Sequence, residues 1–175
     1  YDLPDYVSIA LSFFVYVVLV NAFNLIDGVD GLAAGIGLIA AVAYGIWLFL
    51  AGDVALSLLA FVLAGSLVGF MVFNWHPARI FMGDVGSGSL GLLVAASIGW
   101  QVAAMPNLIY AGLIACSGFM VDASATLLSR MLGGRRWYSA HREHLYQWLV
   151  RSGMSHAKVV ALYMTWNLLI VTPAL

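Results

Sequence analysis

The chain has 175 residues, 63% hydrophobic and 9% charged, against about 25% charged in an average soluble domain. Too few polar residues remain to coat a soluble fold of this size, so the composition points to an integral membrane protein. The formal net charge of −1 excludes an electrostatic nucleic-acid binder, and the single Cys116 cannot form an internal disulfide.

A spanning helix needs roughly 20 mostly apolar residues, and six runs qualify. The first covers about Tyr6 to Ala22. No signal peptide precedes it, because Tyr1-Asp2-Leu3-Pro4-Asp5 lacks a basic region. A first loop follows, Asn21-Ala-Phe-Asn24-Leu-Ile-Asp27-Gly28-Val-Asp30-Gly31. Carboxylates three residues apart can share one side of a helical turn, and glycines let a ligand approach the backbone. A plain capping turn also uses Asp and Asn. Two Asp, two Asn and two Gly in eleven residues favour a functional loop.

The second run covers about Leu32 to Ala51 and ends at Gly52-Asp53; the third covers about Val54 to Phe73. The second loop reads Asn74-Trp-His76-Pro77-Ala-Arg79-Ile-Phe81-Met-Gly83-Asp84-Val-Gly86-Ser87-Gly88-Ser89. Asp84 lies between glycines just before the fourth run. Such a turn can face an anion, or Asp84 can hold a hard cation such as Mg²⁺. Phe81 is available to stack on a flat base, although alone it fits a bilayer-interface anchor better. His76, before Pro77, reads as structural rather than catalytic.

The fourth run covers about Leu90 to Met105, and the fifth about Leu108 to Leu128. Asp122 lies inside the fifth, where a carboxylate is costly and usually functional or paired. The third loop runs from about Ser129 to His156. As a helix, His141, His144, Gln147 and Arg151 share one face, and Leu145, Trp148 and Leu149 the other. This predicts an interfacial amphipathic helix with its imidazoles turned to an aqueous site. A positional anchor fits the basic residues equally well; paired His beside Arg142 and Glu143 fits a phosphate site better. Zinc is disfavoured there, because no further Cys or His lies nearby in sequence to complete a ligand set. The sixth run covers Ala157 to the end.

With six spans, all seven basic residues (Arg79, Arg130, Arg135, Arg136, Arg142, Arg151 and Lys158) fall on one face together with the first loop. The positive-inside rule makes that face cytoplasmic and both termini extracytoplasmic. The expected fold is all-α: a polytopic transmembrane helical bundle of about six spans, forming a single transmembrane catalytic domain over residues 1–175. Its gathered carboxylates, glycine turns, Phe81, Arg and His suit a Mg²⁺-assisted phosphoryl transfer on a nucleotide substrate.

The sequence resembles the polyprenyl-phosphate N-acetylhexosamine-1-phosphate transferases, which include O-antigen and teichoic-acid initiating enzymes and the lipid-I-forming translocase of peptidoglycan. The resemblance rests on Asn21-Ala-Phe-Asn-Leu-Ile-Asp-Gly-Val-Asp-Gly-Leu-Ala33 and on Ala78-Arg-Ile-Phe-Met-Gly-Asp-Val-Gly-Ser87. Val121-Asp122 with Ser129-Arg130, and His141 to Gln147, look like further family segments. It implies a UDP-amino sugar donor, an undecaprenyl phosphate acceptor and UMP release, at a bacterial plasma membrane. It implies that Asp84 binds Mg²⁺, with Mn²⁺ an alternative, and that Asp27 and Asn24 line the same pocket with Asn21 and Gly28. Asp30 and Phe81 would hold uracil. His144, helped by His141 and Arg142, would contact the diphosphate or sugar; a homodimer is compatible with the resemblance.

Two features depart from the family. Its Asp-Asp-rich motif on an earlier loop is absent, and six spans remain of about ten. The expectation is a C-terminal fragment that lacks N-terminal membrane segments and is inactive alone. The run His144-Leu-Tyr146-Gln147 differs from the peptidoglycan translocase pattern and points toward the O-antigen branch. Among rivals, a transporter would explain the spans and Asp122 but not charged groups gathered in loops on one face. A CDP-alcohol phosphotransferase needs Ala-Arg soon after Asp-Gly, and Ala78-Arg79 comes two spans too late. A non-catalytic membrane anchor is the remaining alternative.

Overall fold

The computed structural model describes residues 5–104, 117–135 and 143–171. Their elements are α1 (Asp5–Ile26), α2 (Leu32–Leu50), α3 (Val54–Asn74), α4 (Gly83–Ala104), α5 (Ser117–Leu132), α6 (Leu145–Arg151) and α7 (His156–Val171). No strand occurs among the described residues. The segments over Tyr6–Ile26, Leu32–Leu50 and Val54–Asn74 are long and apolar enough to cross a membrane.

The bundle is built around α2. Its Leu32, Ala33, Ala34, Ile36, Ala40, Tyr44 and Leu48 are buried, and it packs against α3, α4 and α7. α1 packs chiefly on α4. The two approach so closely at Gly91 that a Cβ there would lie 2.8 Å from Val20 Cα. Small residues permit such contacts between helices in lipid, where apolar burial gives little drive. α3 shows the complementary pattern. It is apolar all round, yet Leu58, Leu59, Val62, Val68 and Val72 point outward. Side chains of this kind on an outer surface call for hydrocarbon as solvent.

The α2–α3 turn closes the far end of the bundle. Asp53 N–H reaches Leu48 O at 2.9 Å and Gly52 N–H reaches Phe49 O at 3.1 Å, while Gly52 adopts φ 86°. This is the paired C-terminal hydrogen bonding that favours glycine. Asp53 then accepts from Leu56 N–H at 3.1 Å and opens α3.

Three sequence expectations need correction. The first loop is shorter than expected, because α1 runs on to Ile26. Leu19, Ala22, Phe23 and Ile26 continue one buried stripe, and the Asn21 amide bonds back to Val17 O at 2.7 Å. Asn21 and Asn24 are therefore helical. Likewise α4 starts at Gly83, not near Leu90, so Asp84 sits in its first turn. Ser87 donates to Gly83 O at 3.0 Å within that turn.

The third correction concerns the expected amphipathic helix. Its described part is the seven-residue α6, with His144 as the flanking residue. His144 and Tyr146 point inward, each 1% exposed, while Leu145 and Trp148 are turned out. Hydrogen bonds from α5, described below, override the face that periodicity assigned.

Candidate functional site

The loops after α1, after α3 and before α7 meet at one end of the bundle. Asn74, buried at the end of α3, ties two of them. Gly31 N–H donates to its Oδ1 at 2.9 Å, and its Nδ2 donates to Ile80 O at 2.9 Å. Gly31 flanks α2 with φ 79°, a conformation that L side chains rarely adopt.

One corner is acidic. Asn24 Nδ2 donates to Asp84 Oδ1 at 3.0 Å and to Ser87 Oγ at 3.2 Å. Gly83 N–H donates to Asp27 Oδ2 at 3.0 Å. Asp27 and Asp84 are thereby held together from opposite sides of the α1–α4 contact. Partial burial pushes the Asp27 carboxyl up to about 6, with the Asp84 charge adding to the rise and the Gly83 hydrogen bond opposing it. Two carboxylates on an open face, one disfavoured as an anion by partial burial and, less, by its neighbour's charge, fit a hard divalent cation that keeps part of its water.

A second corner holds imidazoles. His76 Nδ1 lies 2.8 Å from Asp30 Oδ2, and Ala78 N–H donates to the same oxygen at 3.2 Å. His156, the first residue of α7, places Nδ1 3.7 Å from it. Burial alone would raise the Asp30 carboxyl. The hydrogen bonds from His76 and Ala78, with the charges of the two imidazoles, bring it below its ordinary value.

The third corner is built on α6. Asp122, from α5, accepts Leu145 N–H at 2.7 Å and Tyr163 Oη–H at 2.7 Å. His144 Nδ1 lies 3.7 Å from it. The costly Asp122 is thus paired, through backbone and side-chain donors. Tyr146 Oη–H donates to Leu25 O at 2.6 Å, and burial pushes this phenol up to about 12. Arg130 and Arg135 grip the two oxygens of Glu143 at 2.8 and 3.0 Å.

These contacts sort the candidate residues. Asn24, Asp27 and Asp84 form one cluster, and Asp30 stands in another with the two imidazoles. Phe81 is 71% exposed, as a stacking ring or an interface anchor would be. Asn21 makes its described hydrogen bond within α1. A Cβ on Gly28 would lie 2.7 Å from Tyr146 Oη, so the room left by this glycine is used by a tyrosine. His144 is buried beside Asp122 rather than turned to water. His141 and Arg142 lie outside the described residues. Sequence reasoning gave no role to Asn74, Tyr146 or His156. Asn74 and Tyr146 each make a hydrogen bond to a partner remote in sequence, Gly31 and Leu25 respectively.

Two cavities adjoin these corners. A cleft of about 360 Å³ is lined by Gly28, Val29, Gln147, Val150, Arg151 and His156. A groove of about 520 Å³ runs between α5, α6 and α7; Val121, Ala125, Leu145, Trp148, Leu162 and Trp166 line it, with Asp122 and Glu143 as its carboxylates.

Fold and site together define a polytopic, all-α membrane protein with polar, ionisable loops collected at one end. The description glycosyl transferase family 4 matches residues 1–101. Decaprenyl-phosphate N-acetylglucosaminephosphotransferase of Mycobacterium leprae is 36% identical over 180 residues, covering 91% of this chain and 45% of that protein. Phospho-N-acetylmuramoyl-pentapeptide-transferase of Staphylococcus carnosus is 35% identical over 168 residues, covering 90% and 50%. The enzyme of that name from Moorella thermoacetica is 51% identical over 84 residues, covering 48% and 26%. The chain belongs to glycosyl transferase family 4. It spans half or less of the length of these relatives.

Proposed function

We propose that this chain forms the catalytic face of an enzyme that transfers an N-acetylhexosamine 1-phosphate unit from a UDP-sugar to a polyprenyl phosphate. A phosphate oxygen of the lipid attacks the β-phosphorus of the donor. The bond from that phosphorus to the bridging oxygen breaks, UMP leaves, and a lipid-linked sugar diphosphate remains. The relatives' names support the reaction class: each combines phosphate transfer with an N-acetylated amino-sugar unit, and the first also names decaprenyl phosphate. We place the three loops on the cytoplasmic side of a bacterial plasma membrane, where the basic residues gather.

The observation that carries this reading is the Asp27–Asp84 pair, drawn together by Asn24 and the Gly83 N–H. These carboxylates are the fitting ligands for Mg²⁺, or Mn²⁺, which when bound neutralises charge on the diphosphate. Asn24 fixes the orientation of Asp84. Asp30, held by the Ala78 N–H, accepts from the uracil ring, and exposed Phe81 stacks on it. The basic Arg130–Glu143–Arg135 group favours phosphate nearby. The apolar groove beside α6 suits the prenyl chain. Loops collected at one end of the bundle favour surface chemistry over a transporter's midplane site.

The test is UMP release by the whole gene product in detergent, with polyprenyl phosphate, Mg²⁺ and a panel of UDP-N-acetylhexosamines. Mg²⁺-dependent release that falls at least about 100-fold in Asp84→Asn is expected. Undiminished release in a folded Asp84→Asn protein, or none with any donor, overturns the proposal.

A further inference from the structure

The mechanism above leaves His76 and His156 unused, yet they converge on one oxygen. We propose that Asp30, His76 and His156 form a binding site for a borderline transition ion of the Zn²⁺ class, separate from the Asp27–Asp84 pair. The three donor atoms all lie within 4.8 Å of one another. Two of the separations, Asp30 Oδ2 to His76 Nδ1 and to His156 Nδ1, are 2.8 and 3.7 Å. Ligands at about 2.0–2.2 Å around a tetrahedral Zn²⁺ stand about 3.4 Å apart, so small side-chain rotations bring the donors to the required distances.

A simple His–Asp hydrogen bond accounts for one imidazole but not for two. The rings lie 4.5 Å apart at 35°, with both Nδ1 atoms directed at the same carboxylate. His156 Nδ1 is buried and makes no hydrogen bond among the described residues. A buried ring nitrogen of this kind calls for an explanation, and a metal ligand supplies one. The Ala78 N–H that holds Asp30 Oδ2 is the outer-shell contact that orients ligating carboxylates.

The scaffold is suitably rigid. Asp30 precedes the flanking residue of α2, His76 follows that of α3, and His156 opens α7. An ion here joins three helix ends, and one side of the site is open, since His76 is exposed. Two imidazoles and one carboxylate with an open position favour Zn²⁺ over Mg²⁺, which prefers oxygen. Asp30 is shared with the proposed uracil contact; the metal site itself stands on this geometry, whether or not the chain transfers sugar phosphate.

The experiment is calorimetric titration of Zn²⁺ into metal-free protein in detergent, in millimolar Mg²⁺, with thermal unfolding in parallel. One Zn²⁺ per chain and a raised unfolding temperature are expected. His76→Ala and His156→Ala should each weaken binding by about 100-fold, at or beyond the upper limit for losing an outer-shell partner. Asp27→Asn should leave Zn²⁺ binding unchanged. His156→Gln replaces His156→Ala if the latter does not fold, with the same weakening expected. No stoichiometric binding in millimolar Mg²⁺, or binding that either folded His variant leaves intact, overturns the site.

Discussion

The Asp122 carboxylate on α5 accepts the backbone N–H of Leu145 at 2.7 Å, and that of Tyr146 lies 3.4 Å from its other oxygen. These are the first two N–H groups of α6, which have no partner inside their own helix. A side chain from another helix therefore does the work of a cap. A seven-residue helix has little stability of its own, so α6 depends on this contact.

Replacing Asp122 by Ala is expected to cost about 1.5–3 kcal/mol, the range for hydrogen bonds to a charged group, with α6 losing order first. Hydrogen exchange checks it. Amides of residues 145–151 should exchange faster in Asp122→Ala while those of α2 stay protected. Unchanged protection in α6 would remove the capping role.

Metal affinity should fall in mild acid. The Asp27 carboxyl, raised to about 6, must lose its proton to bind a cation. From pH 7 to pH 5 its ionised share drops about tenfold, and so should Mg²⁺ affinity. The sign for stability is the reverse. A raised carboxyl favours the protonated fold, so metal-free stability declines as pH climbs from the ordinary carboxylate value through about 6, and Mg²⁺ restores it. Titration at both pH values decides the matter, with Asp27→Asn expected to flatten the dependence.

The acidic corner was legible because its residues sit in short, dense motifs. Asp27 lies three residues from Asn24, and Asp84 is flanked by glycine. The helix ends were less legible. Asn21 and Asn24 look like loop residues, yet α1 carries them because Phe23 and Ile26 continue its buried stripe. The face of α6 was misread for a different reason. Periodicity records which residues lie together on a helix but not which side a distant Asp122 will hold down. His156 escaped notice because its partners, Asp30 and His76, belong to remote segments, and only packing of α7 on α2 brings them together.

Asn74 should be a stability determinant of the whole loop end. Truncation to Ala leaves the Gly31 N–H and the Ile80 carbonyl without their partner, at about 2 kcal/mol in total. Asn74→Asp retains the acceptor for Gly31 but buries a charge against the Ile80 carbonyl, and should be at least as destabilised as the Ala variant. A thermal-unfolding series of the three proteins in one detergent tests the ranking; an Ala variant as stable as the parent would contradict it.

Gly28 and Tyr146 should be coupled. A Cβ at position 28 would stand 2.7 Å from the Tyr146 hydroxyl, inside contact distance. In Gly28→Ala the phenol must move, which strains its hydrogen bond to Leu25 O. Tyr146→Phe alone loses that bond, at about 1 kcal/mol, and leaves the Leu25 carbonyl unpaired. In the double variant the hydroxyl that meets the new methyl is already gone, so the two costs should not add. The double-mutant cycle should return a coupling of about 1 kcal/mol in favour of the pair. Strict additivity would mean that the tyrosine ring swings clear freely, and that α6 is not seated on the Asp27–Gly31 loop.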